Sequence, residues 1–179
     1  MRRVVIMLMV ALTSTGWGVA HASPDVGQPA PALVTKELDG QTFDLAQLRG
    51  KVVIVNFWAT WCSSCREEMP ALDAFYRQYG DKGLAIIGLS ADRLHERSEV
   101  AKTMRSYSYP AAMMRDAESN GFGSPTELPT TYLIDRDGVV RAKLTPDETK
   151  LNQGTLTQLV LPLLSAKIAA SAPAPVNPQ

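Results

Sequence analysis

Two cysteines occur in 179 residues, and they stand together as Trp61-Cys62-Ser63-Ser64-Cys65. A two-residue gap lets both sulfurs meet within one helical turn, so the pair can pass between dithiol and disulfide. The motif falls between an apolar run, 52–58, and a helical pattern. A helix start offers unpaired backbone N–H groups and the positive end of the helix dipole. Both favour thiolate over thiol at Cys62, and the thiolate is the attacking species in disulfide exchange. Cys65, one turn deeper, is placed to break the mixed disulfide that such an attack forms. Three other uses fit less well. A structural bridge across so small a loop gains little chain entropy. A zinc site lacks a second cysteine pair. Two plain core cysteines leave Trp61 and the junction unexplained.

Three more residues have chemistry to offer. Glu68 follows Cys65 by three and shares its helix face. Turned to the sheet, its carboxyl would be pushed up by burial and could exchange a proton with Cys65 near neutral pH. Turned to water, it is a solvated helix residue like Glu67. Asn56 lies within the apolar run and is either a hydrogen-bond partner for the site or a satisfied core amide. Pro129, in Leu128-Pro129-Thr130-Thr131-Tyr132, leads directly into a strand pattern. A proline there is either cis or an ordinary trans turn. It leaves backbone groups at the sheet edge that could pair with an extended peptide.

These residues need a scaffold, and the apolar patterning supplies one. ALVTKEL (32–38) and QTFDL (41–45) flank Asp39-Gly40, a strong hairpin signal. A single helical turn over 45–49 is stopped by Gly50. VVIVNFW (52–58) has no alternation and reads as a central strand buried on both faces. Met69, Leu72, Tyr76 and Tyr79 recur as on one helix face, with Gly80 and Gly83 closing it. LAIIGL (84–89) is a second buried strand. Val100, Met104 and Tyr107 mark a second helix ending before Pro110, and 111–114 is a short strand. Strands 130–134 and 139–144 flank Asp137-Gly138, and a last helix runs over 156–168, kinked or begun late by Pro162. Buried strands alternating with helices indicate an α/β fold, and the hairpins make its sheet mixed.

Lys plus Arg and Asp plus Glu both number 18, so the formal charge is zero. That removes the basic excess of a nucleic-acid binder. Residues 1–22 have the layout of an export signal, with Arg2-Arg3, apolar Val4 to Leu12, and a small-residue pattern at Ala20-His21-Ala22. The apolar run falls far short of the roughly 20 residues of a spanning helix, which favours cleavage after Ala22 over an uncleaved anchor. The remaining 157 residues carry 16 basic and 18 acidic side chains, a net of −2, and His95 is their one histidine. Both cysteines would reach a compartment where disulfides persist. The expected organisation is a signal peptide 1–22, an extended lead-in 23–31, one domain 32–169, and a disordered Pro/Ala-rich tail 170–179.

FWATWCSSCREEMPALDAFYRQYGDKGLAIIGLSAD, followed by LPTTYLIDRDGVV, resembles the exported TlpA/ResA-like branch of the thioredoxin family over roughly residues 26–168. The resemblance implies a thioredoxin fold: a mixed central sheet flanked by helices, here with an added N-terminal β-hairpin. It implies that Cys62 and Cys65 are the redox pair, that Pro129 is the cis-proline facing them, and that Glu68 is the buried glutamate of this branch. Asn56 falls where cytosolic thioredoxins carry a buried aspartate, so the proton relay would pass to Glu68. Trp61, Leu128 and Thr130 fall in the substrate-contacting positions, and Pro70 is a supporting position five residues after Cys65. Two features depart from the family pattern. Ser64 replaces a common proline, which bears on the reduction potential. Asn120 to Leu128 is a longer approach to Pro129 than usual.

The resemblance implies an exported thiol–disulfide oxidoreductase. It would reduce disulfides of extracytoplasmic clients, with apocytochrome c and copper-site assembly proteins as leading classes. Recharging would come from a membrane thiol-transfer protein, with no small-molecule cofactor and no metal, and the chain would act as a monomer. The alternatives are a disulfide oxidant or isomerase on the same scaffold, or a non-catalytic module holding clients or Cu(I) at the two thiolates. A peroxidase of related fold would need a threonine three residues before its reactive cysteine, where this chain has Ala59.

Overall fold

The computed structural model describes residues 24–147 and 149–166; the signal segment expected over 1–22 and the tail expected over 170–179 lie outside them. The apolar run forms strand β3, Val52–Trp58, and every one of its residues is buried. Such a strand needs a neighbour on each side and a layer on each face. Its neighbours are β4, Leu84–Ser90, in parallel, and β7, Thr130–Ile134, antiparallel. Strands β5, Ala111–Met113, and β8, Val140–Leu144, complete the order β5-β4-β3-β7-β8. The sheet is mixed, as its hairpin β7–β8 requires.

The N-terminal hairpin behaves differently. Its strands β1, Leu33–Lys36, and β2, Thr42–Asp44, do not extend the central sheet. They join β6, Ser119–Asn120, in a separate sheet of order β2-β1-β6. Two-residue β6 is too short to leave any periodicity in the sequence. Gly40 and Gly138 take φ of 93° and 72° in the two Asp-Gly turns, the left-handed region that glycine enters without cost.

The strand period of two sorts β3 onto two layers. Val52, Ile54 and Trp58 join a cluster with helix α1, Ser63–Tyr79, helix α2, Arg97–Met104, and helix α3, Gln153–Ser165. The residues from the helices are Met69, Leu72 and Phe75, then Val100 and Met104, then Leu156 and Val160. Phe75, rather than Tyr76 or Tyr79, completes the buried stripe of α1, and Tyr107 lies past the end of α2. Helix α3 starts at Gln153 and runs through Pro162, so this proline does not delay its start. Asn152 caps it, accepting from the Thr155 N–H at 3.1 Å.

Val53, Val55 and Phe57 face the other way, onto Leu33 and Phe43 of the hairpin sheet. Phe122 seals this layer, its ring centroid 5.0 Å from that of Tyr132 and 6.3 Å from that of Phe57. The long Asn120–Leu128 segment is therefore anchored through the core at its start. Asn120 also ties the segment locally, accepting from the Phe122 N–H and donating to the Gly123 carbonyl. Truncating Phe122 to alanine removes a fully buried ring and is expected to cost about 3–5 kcal/mol, read from urea unfolding.

Two outer contacts complete the layout. The lead-in runs along β8: the Gly27 N–H donates to the Val140 carbonyl, and Pro29 bridges to Val139. On the opposite side, the Leu38 N–H donates to the Ala111 carbonyl beside β5.

Candidate active site

Strand β3 ends at Trp58, and four residues later the chain turns into α1 at Cys62. Cys62 is the N-cap of that helix, with extended backbone, and its sulfur accepts from the Cys65 N–H at 3.2 Å. A sulfur in this position sits among the first unpaired amides of the helix, where negative charge is favoured. The two cysteines form a disulfide, with Cα atoms 5.3 Å apart. Cys62 is 7% exposed and Cys65 1%, so attack from outside can reach only the first. Trp61, 66% exposed, stands beside it.

Glu68 is 5% exposed and points inward one turn below Cys65, which settles the choice left open by spacing. Burial pushes its carboxyl above the ordinary carboxylate range. A hydrogen bond from the Leu151 N–H to Oε1, at 2.9 Å, and the nearby Lys150 charge pull it partly back. Glu67 makes the contrast: it lies at the surface, paired with Lys150 at 2.6 Å, and that partner lowers its pKa.

Asn56 alternates with Ile54 and Trp58 and so shares the helix-facing side of β3. Its Nδ2 donates to Thr131 Oγ1 at 2.9 Å, in register across β3 and β7. Its Oδ1 is buried and has no partner among the described residues, so it is a core amide half satisfied there. The Leu128–Pro129 bond is cis. Pairing of Thr130 with Phe57 places Pro129 beside the end of β3, at the edge of the sheet where Cys62 lies. Thr130 Oγ1 donates to the Glu127 carbonyl at 2.8 Å and closes the turn. Leu128 is half-buried. Pro70 sits inside α1, which continues through it, and is exposed. Ala59 is fully buried and offers no hydroxyl to the cysteine.

One cluster at this end had no signal in the spacing. Asp92, just beyond β4, is 1% exposed. Its carboxylate accepts from the Thr60 N–H at 2.9 Å, the Thr60 hydroxyl at 2.6 Å and the Ser90 hydroxyl at 2.7 Å. It thereby ties the loop before Cys62 to the end of the neighbouring strand. An acid ending an apolar strand was the only hint, together with Thr60 two residues before the cysteine.

A disulfide whose first cysteine caps a helix, at the strand-to-helix junction of a thioredoxin-type sheet, makes this chain a thiol–disulfide oxidoreductase of the thioredoxin-like class. It belongs to the AhpC/TSA family, whose sequence profile matches residues 26–143. The chain is 33% identical over 152 residues to the thiol-disulfide oxidoreductase ResA of Bacillus cereus, covering 82% of this chain and 88% of that protein. Among solved structures it is similar to a thioredoxin-family thiol:disulfide interchange protein of Chlorobium tepidum. That likeness has a TM-score of 0.64 and 27% identity, over 79% of this chain and 99% of the other. A thioredoxin domain of a thiol-disulfide oxidoreductase from Bacteroides vulgatus matches with a TM-score of 0.60 and 30% identity, over 77% and 99%.

Proposed function

We propose that this protein reduces disulfides of extracytoplasmic client proteins. In the dithiol form the Cys62 thiolate attacks one client sulfur, and the client's other sulfur leaves as a thiolate and takes up a proton. Cys65, deprotonated, then attacks the Cys62 sulfur of the mixed disulfide and releases the second client thiol. Two electrons pass to the client, and the Cys62–Cys65 disulfide is the product. Glu68 accepts the proton that Cys65 gives up. Trp61 and half-buried Leu128 meet the client with their side chains, buried Pro129 and Thr130 offer it backbone at the end of β7, and Asn56 and Pro70 support them.

The observation that carries this reading is the difference in burial between the two sulfurs, with a carboxyl held beneath the buried one. A cavity of about 540 Å³ between the hairpin and the end of α1, lined by Phe43 and Tyr76, takes no residue from the site. Trp61, 66% exposed beside Cys62, offers an aromatic face at the surface, which suits a macromolecular client. The leader-like segment 1–22 supports export to the periplasm or another extracytoplasmic space. There a reductase needs a supply of electrons, and a membrane thiol-transfer protein is the proposed donor. Apocytochrome c and copper-site proteins are the proposed clients, and the working unit is the monomer.

Equilibration with glutathione or dithiothreitol buffers tests the direction of flow. A potential near that of thioredoxin, about −270 mV, is expected; one near that of DsbA, about −120 mV, would make the protein an oxidant instead.

A further inference from the structure

The geometry points to Asp92 as a positioning residue for the redox pair, one that holds the loop before Cys62 and sets its charge against the Cys62 thiolate. This rests on the proposed role of Cys62 as the attacking sulfur.

Its buried carboxylate receives two hydrogen bonds from Thr60, one from backbone and one from the hydroxyl, and a third from Ser90. The Ala91 N–H donates to the Trp58 carbonyl, so the two loops are fastened at Ala91 as well as at Asp92. The Cys62 N–H in turn donates to the Ala59 carbonyl at 3.1 Å. Thr60 thus lies inside the short turn that delivers Cys62 to the helix start. Fixing it fixes where the sulfur stands relative to the first amides of α1.

Charge adds a second effect. Two peptide steps separate Thr60 from Cys62, so their Cα atoms are no more than about 7.6 Å apart. The Asp92 carboxylate, hydrogen-bonded to Thr60, therefore lies on the order of 10 Å from the Cys62 sulfur. At an effective dielectric near 20 a full charge at that range changes a thiol–thiolate equilibrium by about tenfold. The sign is fixed. A buried anion disfavours the thiolate, destabilises the reduced form and makes the dithiol a stronger reductant. The helix terminus pulls the other way, so the pair is balanced between the two. The other charged groups on the elements around Cys62 are Arg66, Glu67, Glu68, Asp73 and Arg77 on α1, Arg93 after β4, Glu127 before β7 and Lys150 before α3. Of these, Glu68 and Asp73 are buried, and Asp73, three turns along α1, is paired with Arg77 and Ser108.

The test compares the full protein with Asp92→Asn and Thr60→Val. The glutathione equilibrium is measured across pH, and alkylation by iodoacetamide is assigned to Cys62 or Cys65 by peptide mass. Asp92→Asn removes the charge but keeps the shape. Its disulfide should become about tenfold easier to reduce, about 30 mV, at pH above the thiol pKa. The difference should vanish well below it, where no thiolate exists. Thr60→Val keeps the charge and removes one donor that neutralises it. Its disulfide should become two- to threefold harder to reduce. Generic loosening of the loop cannot give opposite signs. Shifts of the same sign, or no shift in either variant, overturn the proposal. If Asp92→Asn fails to fold, Thr60→Val alone decides, and an unchanged or easier reduction overturns it. Alkylation of Cys65 ahead of Cys62 in the unaltered protein would instead overturn the proposed roles of the cysteines.

Discussion

Cys65→Ser is expected to freeze the reaction halfway. Cys62 keeps its helix-start position and attacks a client disulfide, but nothing inside the protein can then displace the client. In the native pair the resolving sulfur is held within one turn, with Cα atoms 5.3 Å apart. Well-oriented intramolecular groups reach effective molarities of about 10⁵ M or more, against millimolar thiols outside. Multiple turnover should therefore fall at least about a thousandfold. The mixed disulfide should accumulate as a high-mass band on non-reducing gels that dithiothreitol collapses. Cys62→Ser should form no such adduct, because the remaining sulfur is 1% exposed. An adduct through Cys65 in that variant, with none through Cys62 in the other, would reverse the assignment.

Glu68→Gln should change both chemistry and stability, with different pH signatures. The glutamine keeps an acceptor for the Leu151 N–H and the volume of the side chain. What goes is the titratable proton beneath Cys65. Loss of a positioned acid–base group costs typically 10²–10⁴-fold, and here the loss should fall on resolution of the mixed disulfide. In the reduced protein the titration of Cys65 should lose its coupling to a second group; an unchanged curve would remove Glu68 from the mechanism.

The stability signature follows from linkage. Burial raises the carboxyl above its ordinary 4.5, so the folded oxidised protein binds a proton that the unfolded chain has released. In that window stability falls as pH rises, from the unfolded value up through the raised folded one. Glutamine removes this slope, so the oxidised variant should match or exceed its parent at neutral pH. Urea midpoints at several pH values read it directly.

Local order in the chain made much of this legible. The largely apolar run of β3, the two Asp-Gly turns and the Cys-x-x-Cys at the junction all act through neighbours in sequence, and each matches the structure. What escaped acts over long range. Spacing placed Glu68 on the face of Cys65, but its buried position depends on Leu151, 83 residues away. The hairpin was legible as a hairpin, yet its membership in a second sheet depends on Ser119 and Asn120. Asp92 left no pattern in the sequence because its donors, Thr60 above all, lie on another strand's loop. Phe75 is buried while Tyr76 and Tyr79 pack half-buried against the same cluster, which leaves two tyrosine hydroxyls near water.

The outer strands of the central sheet have a consequence for the proposed handling of client proteins. A strand with free amides invites pairing with another chain. The lead-in occupies the start of β8, and Arg141 and Lys143 place charge along the rest. Strand β5 has only three residues and is shadowed by Glu37 and Leu38. A thiol-exchange protein must meet disulfide-bearing clients repeatedly without pairing with their strands. With its flanks blunted in this way, it can handle them at the cysteine end without being drawn into aggregates along its sides.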